Sequence, residues 1–472
     1  MDAKELETII SKHKGLSNRT YDQKKYKIGL NAGIFQAEPK TDPDNRIPIP
    51  FIRRFLKLIK GYFAKVGNIT YSDNGEWFEK NLAPIFDRNN EEMETAEMFE
   101  DAATYGSGWE LHWYDADEGF QFSIIPIDQG IPIYSHFLRK KLKAFIWLRE
   151  IDEKQIATVY DAREYVQWEK LKNGEWILTP VSVAGKDESG KDIEGGIDGN
   201  GDKVSGIHLY GAVPVLEANV DRDKRNLFDP ILPLLDAFDK LISEQANEHD
   251  KFADSIMLLA DEINSTTPDE NGFTDLDKIK LLRIMQKLGE KIQDKVGYLE
   301  RHVDDNFIEH TLDRWERLLY EMLCLFNPND QSFGLSSGQY ANAFKLLGFE
   351  LNIADIESYF SKFLQARIKL ISGHELFEGK SWGKEEGPDF ITIHFERNLP
   401  FDLQTMATIA SVLAGGEKVL DSETILSLFP STVIKDKDDV LERLKAEKQA
   451  TSNPLGIDAP PAKAEPKYEE GA

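Results

Sequence analysis

Three long stretches of helical periodicity between residues 227 and 371 do most to limit what this chain can become. In the first, 227–256, Ile231, Leu234, Leu235, Phe238, Leu241, Ile242, Phe252 and Ile256 recur at the three- and four-residue steps of one helix face. The polar run SEQANEHDK breaks that face, so its middle is expected to meet a partner or solvent rather than a dry core. In the second, 305–326, Phe307, Ile308, Leu312, Trp315, Leu318, Leu319 and Met322 share a face, and Asn327-Pro328 stops the helix. The third covers 339–371.

Around these helices the pattern is mixed. IPFIRRFLKLIKGYFAKV is helical, with Phe51, Phe55, Leu58, Ile59, Tyr62 and Phe63 on one side. SGWELHWYDADEGFQFSIIPID reads as a hairpin turning at Asp117-Glu118-Gly119. AFIWLREI and EYVQWEKLKNGEWILTPV are further strands, the latter turning at Asn173-Gly174, and KVGYLERHV is another. Segment 185–206 is Gly/Asp-rich and expected to be an exposed loop. DFITIHFERNLP alternates Ile391, Ile393 and Phe395 against Thr392, His394 and Glu396, as a half-buried strand does. Residues 402–450 read as at least three helical pieces, and 451–472 lack core formers and are expected to be disordered. Residues 1–45 carry scattered charge, Pro and Gly, and give no element.

The balance of 57 Lys and Arg against 83 Asp and Glu, a net charge of −26, repels DNA phosphate. Tight nucleic-acid binding is not expected on that ground, whereas a surface that tolerates DNA without gripping it stays open. The length suggests two to four domains. No apolar run approaches the roughly 18 residues of a membrane span, and the polar start MDAKELETIISKHKG is not expected to be a signal peptide. The single cysteine, Cys324, excludes an internal disulfide framework and a Cys-based zinc site, and fits a reducing compartment. Its neighbours in MLCLF place it on a buried helix face.

A search for catalytic chemistry finds little. Gly334-Leu335-Ser336-Ser337-Gly338 reads G-x-S-x-G, and Asp355, His374 and His394 follow it in the order a triad could use. A nucleophile elbow needs a buried strand before it, and a helix and a polar loop stand there instead. A flexible helix-entry loop is the favoured reading. It is not a phosphate loop either, since Gln339 stands where Lys is needed. In DGNGDK, Asp198, Asn200 and Asp202 mimic a calcium loop, but Lys203 and Leu209 replace the required Gly and Glu. His374-Glu375 lacks the second histidine of a zincin, and the nine histidines read as surface or satisfied core residues. Trp109, Trp113 and Tyr114 suit cross-strand packing better than ligand stacking. No cofactor or metal is expected, and no enzyme signature remains.

The segment HLYGAVPVLEANVDRDKRNLFDPILPLLDAFDKLISEQANEHDKFADSIMLL resembles portal proteins of bacteriophages with long non-contractile tails. His208, Gly211, Val213 and Pro214 match the family's His-x-φ-Gly-x-Val-Pro strand. Leu235, Asp236, Ala237, Phe238, Asp239 and Ser243 match the helix that follows, and Phe252, Ala253 and Asp254 the segment after it, with Ser255 in place of a small apolar residue. In order along the chain, TYGSGWE is similar to the Tyr-Gly-x-φ-x-Glu hairpin, VGYLE to a closing strand, SSGQYANAF to the Ser-Gly-x-Ala loop with Tyr340 intruding, and ITIHFERNLPFD to a strand ending in Arg-Asn-φ-Pro. LAGGEKVLDSETILSLFP is similar to the short helical repeat that follows. The resemblance covers about 40–450.

What the resemblance implies is an α+β portal-type fold. Residues 1–225 would begin a mixed α/β wing, 226–256 form the first stem helix, 257–304 a small α/β clip, and 305–326 the second stem helix. Residues 327–338 would be a tunnel loop, with Asn329, Asp330, Gln331, Ser332, Ser336, Ser337 and Gly338 beside moving DNA. Residues 339–401 would supply the long wing helix and a wing strand, 402–450 the crown, and 451–472 the disordered tail. The implied assembly is a ring of about twelve subunits at one capsid vertex, made in the host cytoplasm. It would pass double-stranded DNA without reading sequence, and meet the terminase motor, a head-completion adaptor, and the major capsid and scaffolding proteins. No membrane partner is implied. Two other readings stay open on the residues: a non-portal acidic oligomeric scaffold or adaptor, and a hydrolase using Ser336.

Overall fold

The computed structural model describes residues 2–36, 43–179 (save 74, 116 and 139), 205–253, 257–259, 296–298, 305–327, 339–380, 386–397 and, in part, 440–445. The chain divides into two units, 1–395 and 396–472. In the second, the described residues are 396–397 and short helical pieces at 440–445. The calls on 180–204, most of the clip, the tunnel loop, most of the crown and the tail lie outside the described residues. The remainder is a mixed helix-and-sheet architecture, as an α+β class requires.

The unit 1–395 opens with a helix that the sequence reading missed, α1 (Ala3–Ile28). Its signals are local. Asp2 caps it by accepting the Glu5 N–H at 2.7 Å, and Gly29 ends it in the left-handed conformation at φ 83°. Leu6 and Ile10 are buried against Ile131, Ile146, Ala157, Val159, Trp168 and Trp176. Those residues belong to an antiparallel meander of β4 (Gly130–Tyr134), β5 (Leu142–Ile151), β6 (Lys154–Tyr160), β7 (Glu164–Lys170) and β8 (Trp176–Thr179). A two-residue turn joins β5 to β6, with Asp152 and Glu153 both at positive φ, the sense that matches strand twist. Strand β9 (Ser205–Ile207) pairs with β7, so 205–206 belongs to a strand and not to the expected loop.

The predicted hairpin is present as β2 (Gly108–Asp115) and β3 (Gly119–Ile125), closed by the Asp115 carboxylate accepting the Asp117 and Glu118 N–H groups. Strand β10 (Val215–Ala218) pairs with the other edge of β2. Trp109 is a core residue, as expected, packed with its cross-strand neighbour Ile125 and with Phe145 of the other sheet, whereas Trp113 is exposed. A separate two-stranded pair joins β1 (Ile69–Ser72) to β13 (Thr392–Phe395).

Helix α3 (Phe51–Phe63), which follows the short α2 (Ala32–Gln36), is the hub of the helical part. It buries Phe51, Ile52, Phe55, Leu56, Ile59, Tyr62 and Phe63. After the short α4 (Trp77–Asn81) and α5 (Ala83–Arg88), helix α6 (Glu91–Tyr105) meets α3 where Phe63 packs on Phe99. The first long helix is α7 (Leu232–Ala253), entered through a 3-10 turn at Asp229–Ile231, so it begins later than the periodicity suggests. The second is α8 (Asp305–Met322), beside α7. The third, α9 (Gln339–Ser372), has 34 residues. Phe51 meets Phe238 of α7, Phe55 meets Tyr320 of α8, and Tyr62 meets Phe349 of α9. Strands β11 (Met257–Leu259) and β12 (Val296–Tyr298) pair antiparallel, linking the chain that leaves α7 to the chain that approaches α8.

Cys324 is exposed at φ 53°, two residues beyond α8, rather than on a buried helix face. The helix stops before reaching it, so the apolar period of MLCLF does not continue as a helix.

Candidate functional site

The polar residues of α7 divide between two faces: Lys240, His249 and Asp250 are exposed to solvent, whereas Asp239, Ser243 and Asn247 are buried. The buried three hold a strap of the same chain, residues 45–49. The strap is extended, and alternate N–H groups point to the helix. The Asn45 N–H donates to Asn247 Oδ1 at 2.6 Å, the Ile47 N–H to Ser243 Oγ at 3.0 Å and the Ile49 N–H to Asp239 Oδ1 at 2.9 Å. The spacings explain the match. Two extended residues advance about 6.7 Å, and four helical residues about 6.0 Å. A helix carrying polar side chains at every fourth position can thus stand in for a neighbouring strand. Pro48 and Pro50, which have no N–H to satisfy, fall between these donors or beyond them.

The N-terminal helices fasten the same stripe further up. The Tyr26 hydroxyl donates to Asp236 Oδ1 at 2.6 Å, and the Gly33 N–H donates to the Tyr26 oxygen at 3.1 Å. The Asn31 amide donates to Asp239 Oδ2 and to the Ile49 carbonyl. Asp239 and Ser243 are buried. Burial pushes the Asp239 carboxyl up to about 6, against the Asn31 and Ile49 hydrogen bonds that favour its charge, and nearby Asp236 adds to the rise. Burial raises Asp236 as well.

A second tie fixes α9. Arg367 is fully buried, and its guanidinium spans two carboxylates. Nε and Nη2 donate to Glu110 at 2.9 and 2.5 Å, and Nη1 donates to Glu91 at 2.5 Å and to Thr95 at 2.6 Å. The Phe122 and Phe363 rings flank it at 4.8 Å each. Tyr71 and Thr95 donate to Glu91, and His112 Nε2 lies 2.8 Å from Glu110. Burial would raise the Glu110 pKa, but the Arg367 charge and the His112 hydrogen bond overcome it and hold the group at about 2. Burial lowers His112, so this imidazole is neutral at neutral pH.

The third tie is a relay of two neutral histidines. His374 Nε2 donates to the His208 carbonyl at 3.0 Å, and His208 Nε2 donates to the Asp161 carbonyl at 2.9 Å. Each Nδ1 accepts a backbone N–H two residues on, from Leu376 and Tyr210. Burial carries His374 down to about 4. These are satisfied core histidines, as the sequence suggests.

All three ties hold elements of the fold together through hydrogen bonds within the chain. Among the described residues no group of three or more His, Cys, Asp or Glu is placed to hold a metal ion. No described helix is long and apolar enough to cross a membrane. Asn329, Asp330, Gln331, Ser332, Ser336, Ser337 and Gly338 lie outside the described residues. The ties instead use positions that the family resemblance picked out: His208, Asp236, Asp239, Ser243 and Glu110. The sequence pattern of the family described as phage portal protein, SPP1 Gp6-like, matches residues 8–454.

The chain belongs to that family. A portal protein of Clostridium phage phiCD119 is 20% identical over 390 residues, covering 79% of this chain and 82% of that one. The match begins inside α1, where the sequence reading found nothing. Within this portal family chain, the partners of the polar α7 stripe are Tyr26, Asn31 and the 45–49 strap. A signal for them was available: carboxylates at 236 and 239 within an apolar helix must find donors.

Proposed function

We propose that this chain is the subunit of a ring at one capsid vertex, the channel through which double-stranded DNA enters during packaging and leaves during ejection. The ring would also dock the packaging motor and the tail connector. The observation that carries this reading is the family match from residue 8 to residue 454. The net charge of −26 supports it, because an acidic wall lets a polyanion slide without being held. The side-by-side helices α7 and α8 would be the stem, with 257–304 as the clip and 402–450 as the crown. Phe307 and Met322 on α8 are exposed in the single chain and would be covered by a neighbour. Residues 327–338 would form the tunnel loop.

The test is imaging followed by packaging. Purified protein should give closed rings with a central channel, of about twelve subunits. With Cys324 replaced by Ser, cysteines at Asp330 and Ser336 should cross-link neighbouring loops, stall packaging into nuclease-protected DNA, and release it on reduction. Ser336→Ala alone should package normally. Normal packaging with the cross-link complete would remove the loop from the channel. A dead Ser336→Ala would restore the hydrolase reading.

A further inference from the structure

We infer that the tip of the β4–β5 hairpin is a plug that enters a cleft on the next copy of this chain and joins copies head to tail. The inference rests on the proposed self-assembly and adds the surfaces that perform it.

The tip is held shut. The Ser135 N–H donates to the Lys141 carbonyl at 2.8 Å, and the Lys141 N–H to Ser135 Oγ at 3.0 Å. At its apex Phe137 is 81% exposed and Leu138 fully so, at 103%. A hydrogen-bonded turn that presents an aromatic and an aliphatic side chain to water gains nothing from them within its own chain. His136, Lys140, Lys141 and Lys143 surround the pair and are exposed, in a chain of net charge −26.

The same chain carries a counterpart. A cleft of about 740 Å³ opens between α1, α6 and the end of β3, within the roughly 300–1,000 Å³ that usually holds a ligand. Its apolar lining includes Tyr21, Ile28 and Leu30, exposed by 61, 53 and 48%. Two of its lysines, Lys27 and Lys60, are already paired with Glu100 and Asp101, and Lys25 rests over the Tyr21 ring. Glu97 and Asp128 are further carboxylates of the lining. Lys24 also lines the cleft, but its five carboxylates outnumber its four lysines. Apolar faces apolar and the lysines of the tip face a net acidic cleft, so both halves of the contact are present on one molecule.

The two halves cannot meet within one chain. Asp128, at the cleft, and Phe137, at the tip, lie beyond opposite ends of β4, whose five residues span about 17 Å. The plug and the cleft are different surfaces, so their contact is head-to-tail. Repeated, such a contact closes into a ring where its rotation divides a full turn without a rise, as the proposed ring requires, and otherwise runs on as a filament.

The test uses the full chain. Phe137→Ser with Leu138→Ser should leave the circular dichroism of the dissociated chain unchanged, because among the described residues none of its own covers these side chains, and should weaken self-association at least tenfold by sedimentation. In a Cys324→Ser background, Leu30→Cys with Leu138→Cys should give an oxidised ladder extending beyond the dimer on non-reducing gels. Lys140→Glu with Lys141→Glu should weaken assembly too, and Glu97→Lys with Asp128→Lys in a mixed partner should restore it. Should the serine variant and the cysteine variant both form normal rings without a ladder, the plug is wrong while the ring reading survives. Normal rings that fail only to enter capsids would assign the tip to another protein, and also overturn the inference. A wild-type chain that stays monomeric even with its capsid partners would remove the ring reading itself, and the plug with it.

Discussion

Arg367 and Glu110 are separated by 257 residues and meet as a two-point ion pair with no access to water. The pair joins the long helix α9 to strand β2, and the second carboxylate, Glu91, brings in α6. Three elements are thus registered by one side chain.

Removing that side chain should be severe. Arg367→Met leaves Glu91 and Glu110 buried without their cation, and should cost about 3–5 kcal/mol. Arg367→Lys should recover only part of this, because an ammonium cannot reproduce the fork that grips both carboxylates. Denaturant unfolding of the purified chain measures both. A loss under about 1 kcal/mol for the Met variant would show that the cluster is not a structural tie.

Two groups should impose opposite pH dependences. Asp239 has its folded pKa raised to about 6, so its contribution to stability is full below about pH 4 and is lost as pH rises through 6. His374 has its folded pKa depressed to about 4, so its contribution is present above about 6.5 and is lost as pH falls to 4. Relative to wild type, Asp239→Asn should therefore look better at pH 7.5 than at pH 4.5. His374→Gln should look worse at pH 7.5 than at pH 4.5. Urea midpoints across that range would decide it, and parallel curves for all three proteins would contradict both assignments.

The strap should show an alternating exchange pattern. Hydrogen–deuterium exchange resolved to single amides should find Asn45, Ile47 and Ile49 protected and Arg46 fast, because only the first three donate into α7. Ser243→Ala should accelerate Ile47 selectively and cost about 1–3 kcal/mol, by leaving a buried donor unpaired. Uniform exchange along 45–49 would mean that the strap is not seated.

Gly33 should tolerate no side chain. A Cβ there would collide with the carboxylate of Asp236. Gly33→Ala must push Asp236 off the Tyr26 hydroxyl, at a cost of about 1–3 kcal/mol. Adding Asp236→Ala should make the substitution at 33 nearly silent, a coupling that a double-mutant cycle measures.

How much of this could be read from the sequence depended on whether the signal was local. The β2–β3 hairpin was legible because Asp115 and Gly119 write their own turn, and α9 because its apolar period runs unbroken. Helix α1 was missed although Asp2, Glu5 and Gly29 mark its ends. Its apolar face is narrow, and Leu6 and Ile10 acquire their meaning only against Trp168 and Trp176, far along the chain. The interrupted face of α7 was seen, but its occupant was not. Periodicity reports that a stripe is polar, and cannot say that residues 45–49 will lie on it. Arg367 carried one local mark, its place four residues from both Phe363 and Ile371 on the apolar stripe, but its two carboxylate partners are far along the chain, and a lone arginine in a helix is ordinarily a surface residue.

Helix α9 is also a lever. From its fixed point at Arg367 to its start at Gln339 it runs 28 residues, or about 42 Å. A rod of that length magnifies rotation: about 5° of tilt at the anchor moves the far end by about 4 Å, more than the width of an atom. The chain that enters the helix at Gln339 is therefore positioned jointly by the nearby Phe349 packing and by a charge cluster buried many turns away. Because Phe349, Ile353, Ile356 and Phe360 are also buried along the rod, such a tilt must carry with it the helices they pack on.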